Sequence, residues 1–297
     1  MAEKLIITAN SNFHRKFTDT TLTHEEVVDY FADTGFGGID YDFESLAVIG
    51  LPHDELVAYA AALGERAAAH GLNLSFGHLP FHKKLAQDAE GNFDKVRFDY
   101  LMFTAMDIAV AMGAKRAVIH PKFSKDPAED HERQHRRNLE YLTPYMNYAA
   151  RVGLTLLVEN MPSYTQPGEP MRYCGNAAEI AAVADYFGCG NCWDAGHATL
   201  NHLDQRAELN LLGKRLQGIH LQDNTGHSSD DHLIPFFGTT DWAGVTAGLA
   251  DVGYSGTFNF ECRTRYMPRA CGAYVGQHLL TVANVLLDMY EKALTNR

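Results

Sequence analysis

Residues 154–160 read LTLLVEN, a run of four aliphatic side chains that stops on Glu159 and Asn160. Its apolar residues do not alternate strictly with polar ones, which is the pattern of a parallel strand buried on both faces. Seven other stretches have the same build. They are KLIITAN (4–10), FGGIDYDF (36–43), LNLSFGH (72–78), KRAVIH (115–120), CGNCWDAG (189–196), LQGIHLQD (216–223) and GTFNFE (256–261).

Helical periodicity fills the gaps between them. Thr23-His24-Glu25-Glu26 has capping-box spacing and predicts a helix that stops at Gly35. Over 54–70, Leu56, Ala60, Leu63 and Ala67 recur on one face before Gly71, and Leu101, Ala105, Ile108 and Met112 do the same before Gly113. Further helices are predicted over 131–151, 176–187, 205–213, 241–252 and 273–291. The eight strand–helix units run without a compositional break, which predicts one (β/α)8 barrel domain over 1–297 that ends in the helix 273–291. A doubly wound sheet would need about six strands and a glycine-rich first turn. ITANSNFH (7–14) is not such a turn.

At 46% hydrophobic and 21% charged residues, the 297-residue chain can bury a large core. The opening MAEKLIITAN has too short an apolar core for a signal peptide, and no run reaches the roughly 18 apolar residues of a membrane span. With five scattered cysteines, this predicts a soluble cytoplasmic protein in a reducing compartment. Cys189 and Cys192 form an isolated CGNC, which reads as ordinary packing. The net charge of −12 argues against a general polyanion binder, with HERQHRRN (131–138) the one obvious basic block.

A barrel builds its site at the C-terminal ends of its strands. Here those ends are loaded. Strand three ends in His78, strand four in His120, strand five in Glu159 and strand six in Asp194, with His197 just beyond. Strand seven carries His220 and Asp223, and strand eight ends in Glu261; the loop after strand seven adds Asp230 and His232. Any one of these is ordinary turn chemistry. Their convergence is not, because carboxylates crowded on one rim repel unless a cation or shared protons neutralise them. A divalent metal is therefore expected. Asp194 is expected to enter the barrel mouth as a ligand and His197 to reach substrate or a second metal, with Gly196 permitting a tight bend between them.

These words resemble the xylose isomerase-like barrel superfamily, which holds sugar isomerases, sugar epimerases and endonuclease IV. The resemblance spans nearly the whole chain and rests on VEN (158–160), WDAGH (193–197), IHLQDN (219–224), DDHLIPFFGTTDW (230–242) and FE (260–261). For a member with one metal it implies Glu159, Asp194, His220 and Glu261 as ligands of Mn, Mg, Co or Zn. It also implies Glu159 and Glu261 as the proton-transfer pair, His197 as a catalytic residue holding a hydroxyl, and His78, His120, Asp230 and His232 as substrate-binding residues. Arg263 and Arg265 follow Glu261 and suit a phosphate or carboxylate, or equally a solvated turn. Pro235-Phe236-Phe237-Gly238 stands where relatives often carry Pro-Gly-Glu-Gly. Two aromatics there imply an apolar wall over the site, or a contact between copies in a homo-oligomer.

The expected activity is a metal-dependent isomerase or epimerase of a sugar or related polyhydroxy carbonyl compound, working through an enediolate. Dehydration of a related substrate uses the same intermediate. The alternative is an endonuclease IV-like phosphodiesterase. For that, the resemblance implies a multinuclear zinc cluster on His78, His120, Glu159, Asp194, His197, His220, Asp230, His232 and Glu261. A small sugar-like molecule is the expected partner, with neither a membrane nor a nucleic acid.

Overall fold

The computed structural model describes residues 5–88, 90–122, 129–163, 171–226, 229–263 and 267–296; Arg265 lies outside them. Its eight strands are β1 Ile7–Asn10, β2 Gly38–Asp42, β3 Phe76–His78, β4 Arg116–Ile119, β5 Thr155–Glu159, β6 Gly190–Asp194, β7 Leu216–Leu221 and β8 Phe258–Phe260. Each pairs in parallel with the next and β8 returns to β1, closing the barrel in sequence order. All eight predicted strands are present.

The predicted long helices form as well, at His24–Thr34, His53–Ala69, Lys95–Ala111, His131–Val152, Ala177–Phe187, Gln205–Leu212, Trp242–Val252 and Gly272–Thr295. The capping box is complete: the Thr23 hydroxyl accepts from the Glu26 N–H, and the Glu26 carboxylate accepts from the Thr23 N–H at 2.7 Å. Gly35 ends that helix at φ 93°, in the left-handed region that glycine enters without a Cβ penalty. Three one-turn helices were not predicted: Ser11–Arg15, Phe43–Ala47 and Ala195–Leu200. Each follows a strand directly, and the last strand residue caps it. Asn10, Asp42 and Asp194 accept from the N–H groups of Asn12, Glu44 and His197.

By length and composition Arg269–Thr295 is the one helix among the described residues that could cross a bilayer, a test that the core helix of a soluble protein also passes. Its apolar stripe supplies that character, and Leu279, Ala283, Leu286 and Leu287 on the stripe are buried in the main core.

Alternation along the strands sets the site's position. Phe76, Val118, Leu157 and Cys192 pack inside the barrel as a cluster separate from the main core. Gly218 completes this layer with no side chain, since a Cβ there would lie 2.8 Å from both Leu157 and Phe76. Two residues beyond these five stand His78, His120, Glu159, Asp194 and His220. A period of two therefore puts all five on the same inward face, one layer nearer the C-terminal rim.

Candidate active site

Three carboxylates gather around Nδ1 of His220. It lies 2.8 Å from Glu159 Oε1, 3.6 Å from Glu261 Oε1 and 3.9 Å from Asp194 Oδ2. All four residues are buried. They are the four that the family resemblance implied as ligands of a single metal.

The other predicted residues extend this centre on two sides. Oε2 of Glu159 lies 2.9 Å from His120 Nε2 and 3.5 Å from His78 Nε2, and the two Nε2 atoms are 3.0 Å apart. Oδ2 of Asp230 lies 2.7 Å from His232 Nε2 and 3.5 Å from His197 Nε2. His78, His197 and His232 share one device: each sets its Nδ1 at 2.7–2.8 Å from a main-chain carbonyl, of Leu79, Asn160 and Glu261 respectively. A neutral imidazole that donates Nδ1–H in this way offers a bare Nε2, the usual orientation of a metal-ligating histidine. His232 holds this pose at φ 52°, in the left-handed region uncommon for a non-glycine residue.

The charges explain what such a centre lacks. Burial, reinforced by Glu159, Asp40, Asp194 and Asp230, pushes the Glu261 carboxyl well above the usual range. Burial would raise Glu159 too, but His220 and His120 override it and hold Glu159 well below. Burial raises Asp194. Asp230, despite its burial, is held well below by His232 and His197. Burial would lower His78 and His197, yet Glu159 takes His78 up to about 9, and Asp194 with Asp230 takes His197 up to about 10. Burial pushes His120 down to about 4. Protons on His78 and His197 thus offset part of the charge of the carboxylates. A divalent cation does this better, and a set of carboxylate oxygens and imidazole nitrogens suits one.

Neighbouring amides hold Asp194 and Asp230 in place. Asn160 Oδ1 accepts the Asp194 N–H at 2.6 Å and its Nδ2 donates to the Asp194 carbonyl, tying the ends of β5 and β6 together. Gln222 Nε2 donates to both Asp194 oxygens, at 3.2 and 3.3 Å, and to Asp230 Oδ1 at 3.0 Å. Gly196 is needed here for a reason other than the expected tight bend. It lies inside the helix Ala195–Leu200 without a left-handed φ, and a Cβ would come within 2.4 Å of Gln222. Space is what it supplies.

Three interior polar residues escaped the sequence reading. Asp40 Oδ2 accepts from Asn10 Nδ2 and Asn259 Nδ2, both at 2.9 Å, and Asp40, His220 and Glu261 offer atoms within 4.8 Å of one another. Oδ1 of Asp40 has no hydrogen-bond partner among the described residues. The available signal was a polar residue at an inward position within ITAN, GIDYD and FNFE.

Other predicted residues have structural work. Asp223 accepts from the N–H groups of Phe236 and Thr240 and from Trp242 Nε1, so it folds the loop after β7. Arg263 donates from Nη1 to the Asp230 carbonyl at 2.8 Å, beside the ring of ligands. Phe236 lies by Trp242 and Phe237 by His278 of the last helix. The basic block is largely self-paired, Arg133 and Arg137 with Glu129 and Arg136 with Glu132.

Fold and site together define a class: a closed (β/α)8 barrel whose C-terminal mouth holds a ring of buried histidines and carboxylates. The chain belongs to the xylose isomerase-like TIM barrel family, whose model matches residues 28–281. It is 24% identical over 290 residues to an uncharacterized protein of Sinorhizobium fredii, covering 91% of this chain and 90% of that one. Among solved structures it resembles a D-tagatose 3-epimerase-like protein (18% identity, TM-score 0.66, 96% and 98% of the two chains). It also resembles a D-psicose 3-epimerase solved in the presence of D-fructose (13%, TM-score 0.71, 95% and 99%).

Proposed function

We propose that this chain is a metal-dependent epimerase or isomerase of a sugar or a related polyhydroxy carbonyl compound. One observation carries the reading: two buried glutamates at the ends of β5 and β8 face Nδ1 of His220, Glu159 Oε1 at 2.8 Å and Glu261 Oε1 at 3.6 Å. The names of the solved relatives, 3-epimerases of D-tagatose and D-psicose type, support the same substrate class.

Glu159, Asp194, His220 and Glu261 would hold the ion. When bound, a divalent cation supplies Lewis-acid polarisation of a carbonyl and charge stabilisation at its oxygen. The remaining chemistry falls to the chain. Glu159 would take the proton from the carbon beside the carbonyl, giving an enediolate, and Glu261, recharged by a proton from solvent, would return one to the opposite face. Such a positioned acid–base pair contributes on the order of 10²–10⁴-fold in rate. His197, oriented by the Asn160 carbonyl, holds a substrate hydroxyl. Incubating the purified chain with a panel of ketoses and aldoses, with Mn, Co, Mg or Zn supplied singly, tests this. Epimer or isomer formation that a chelator abolishes is the expected result.

A second reading has a specific observation in its favour. All nine residues that an endonuclease IV-like cluster would use are gathered, with His78 and His120 on Glu159 Oε2 and His197 and His232 around Asp230. Three metal equivalents per chain, together with nicking of a duplex at an abasic site, would favour that phosphodiesterase. One equivalent with sugar turnover favours the epimerase.

A further inference from the structure

Beside the ring of ligands lies a pocket of about 420 Å³ between the loop after β7, the loop after β8 and the start of the helix Gly272–Thr295. Its walls are mainly apolar, with Leu233, Ile234, Phe237, Met267 and Val275 among the lining residues. The proposed chemistry at the rim uses none of them. Phe237 is 65% and Tyr274 79% exposed, an unusual display of aromatic surface at the lip of a concave site. An apolar cavity of roughly 150 Å³ is enough to bind benzene, and small-molecule pockets run from roughly 300 to 1,000 Å³. This one holds more than a single ring.

The pocket borders the site through two residues. His232 lines it, while the same imidazole sets Nε2 2.7 Å from Asp230 Oδ2 and Nδ1 2.8 Å from the Glu261 carbonyl. Arg263 lines it too, anchored through Nη1 on the Asp230 carbonyl. Its Nε is buried without a partner among the described residues. One imidazole thus separates the ligand ring from an apolar recess with a polar mouth. A molecule seated on Glu159 and Glu261 has this recess as a neighbouring space into which to extend.

We propose that the pocket receives an apolar substituent, an aryl ring or short alkyl chain, carried by the substrate away from its carbonyl carbon, so that the chain prefers a sugar substituted in this way, such as a glycoside that keeps a ketone elsewhere on its ring, over the free sugar. The polar half of this assignment rests on the sugar reading above; the apolar half rests on the pocket alone.

The test uses the metal-loaded protein and Val275→Trp, whose indole fills the recess, with Phe237→Ala as a second variant that strips one wall. The fluorescent probe 1-anilinonaphthalene-8-sulfonate should bind at one saturable site per chain, at least tenfold more weakly in Val275→Trp and several-fold more weakly in Phe237→Ala. Phenyl β-D-glucopyranoside should displace the dye at concentrations where methyl β-D-glucopyranoside does not. Val275→Trp should leave turnover of an unsubstituted sugar unchanged. Dye binding that is absent, that both variants leave intact, or that both glycosides displace alike overturns the proposal. So does a wild type that sediments as a dimer which both variants dissociate, since a second copy of the chain then fills the recess. The dye titration needs no turnover. A chain that binds dye and phenyl glycoside but converts no sugar sinks the sugar reading and leaves the apolar subsite. Sugar turnover with phenyl and methyl derivatives treated alike sinks the subsite and leaves the reading.

Discussion

Oδ1 of Asp194 accepts the main-chain N–H of His197 at 2.7 Å, while Oδ2 of the same carboxylate lies 3.9 Å from Nδ1 of His220. A single side chain therefore serves as helix cap and as candidate metal ligand. Asp194→Asn should keep the cap, since Asn caps about as well as Asp, and lose metal; Asp194→Ala should also lose roughly 1 kcal/mol of stability. His197→Ala should retain the metal and lose turnover. Metal per chain by elemental analysis, with a thermal melt, checks all three. Equal metal loss in Asp194→Asn and His197→Ala would replace the single centre with a multinuclear one.

Glu159→Gln and Glu261→Gln should each lower kcat by at least about 10²-fold while moving the thermal midpoint little. Both carboxylates stand above the packed layer of Phe76, Val118, Leu157 and Cys192 and contribute nothing to it. Near wild-type turnover in either variant on the true substrate would remove the proton-transfer pair from the mechanism.

Metal binding should release protons. Burial and its carboxylate neighbours keep Glu261 protonated well above the usual range in the metal-free chain, and a ligand must give up that proton. Affinity should therefore tighten as pH rises through the raised range of Glu261. Calorimetry in two buffers of different ionisation enthalpy should count more protons released per metal at acid than at alkaline pH, and a count of zero throughout would contradict the placement of Glu261.

Acid should unfold the chain from a different place. His14 and His24 are buried away from the ligands, and burial pushes each down to about 4 from an ordinary 6.5. Below pH 6.5 the unfolded chain binds protons that the folded chain refuses. The stability each neutral ring contributes is therefore complete above about pH 6.5 and is lost as pH falls toward 4, on the order of 3 kcal/mol per site. His14 sits among Phe31 and Phe36, so His14→Phe keeps an aromatic ring there and should flatten the fall in unfolding free energy over that range. An unchanged slope would show that His14 is not part of the acid response.

The strands and long helices were legible because a continuous apolar run and a 3.6-residue stripe are local signals. The one-turn helix Ser11–Arg15 was not, since five residues carry no period. Strand ends located most of the rim histidines and carboxylates, but a search for those residue types at ends passed over Asn10, an amide, and over Asp40 and Asn259, whose inward positions emerge only when β2 and β8 are read in steps of two from the rim backward. The separation of Phe236 from Phe237 was also beyond local reading. Asp223, thirteen residues upstream of Phe236, fixes that loop by accepting its N–H, a contact that only the folded chain makes.

Solvent isotope exchange tests the central claim most directly. The metal-loaded chain is incubated in D2O with a panel of ketoses, and the carbon beside the carbonyl is followed by NMR. Transfer between Glu159 and Glu261 through an enediolate predicts one deuterium at the epimerised carbon, absent after chelation and absent in Glu159→Gln. Epimerised product that carries only protium at that carbon would contradict it, as would a panel in which no sugar exchanges while an abasic duplex is cut.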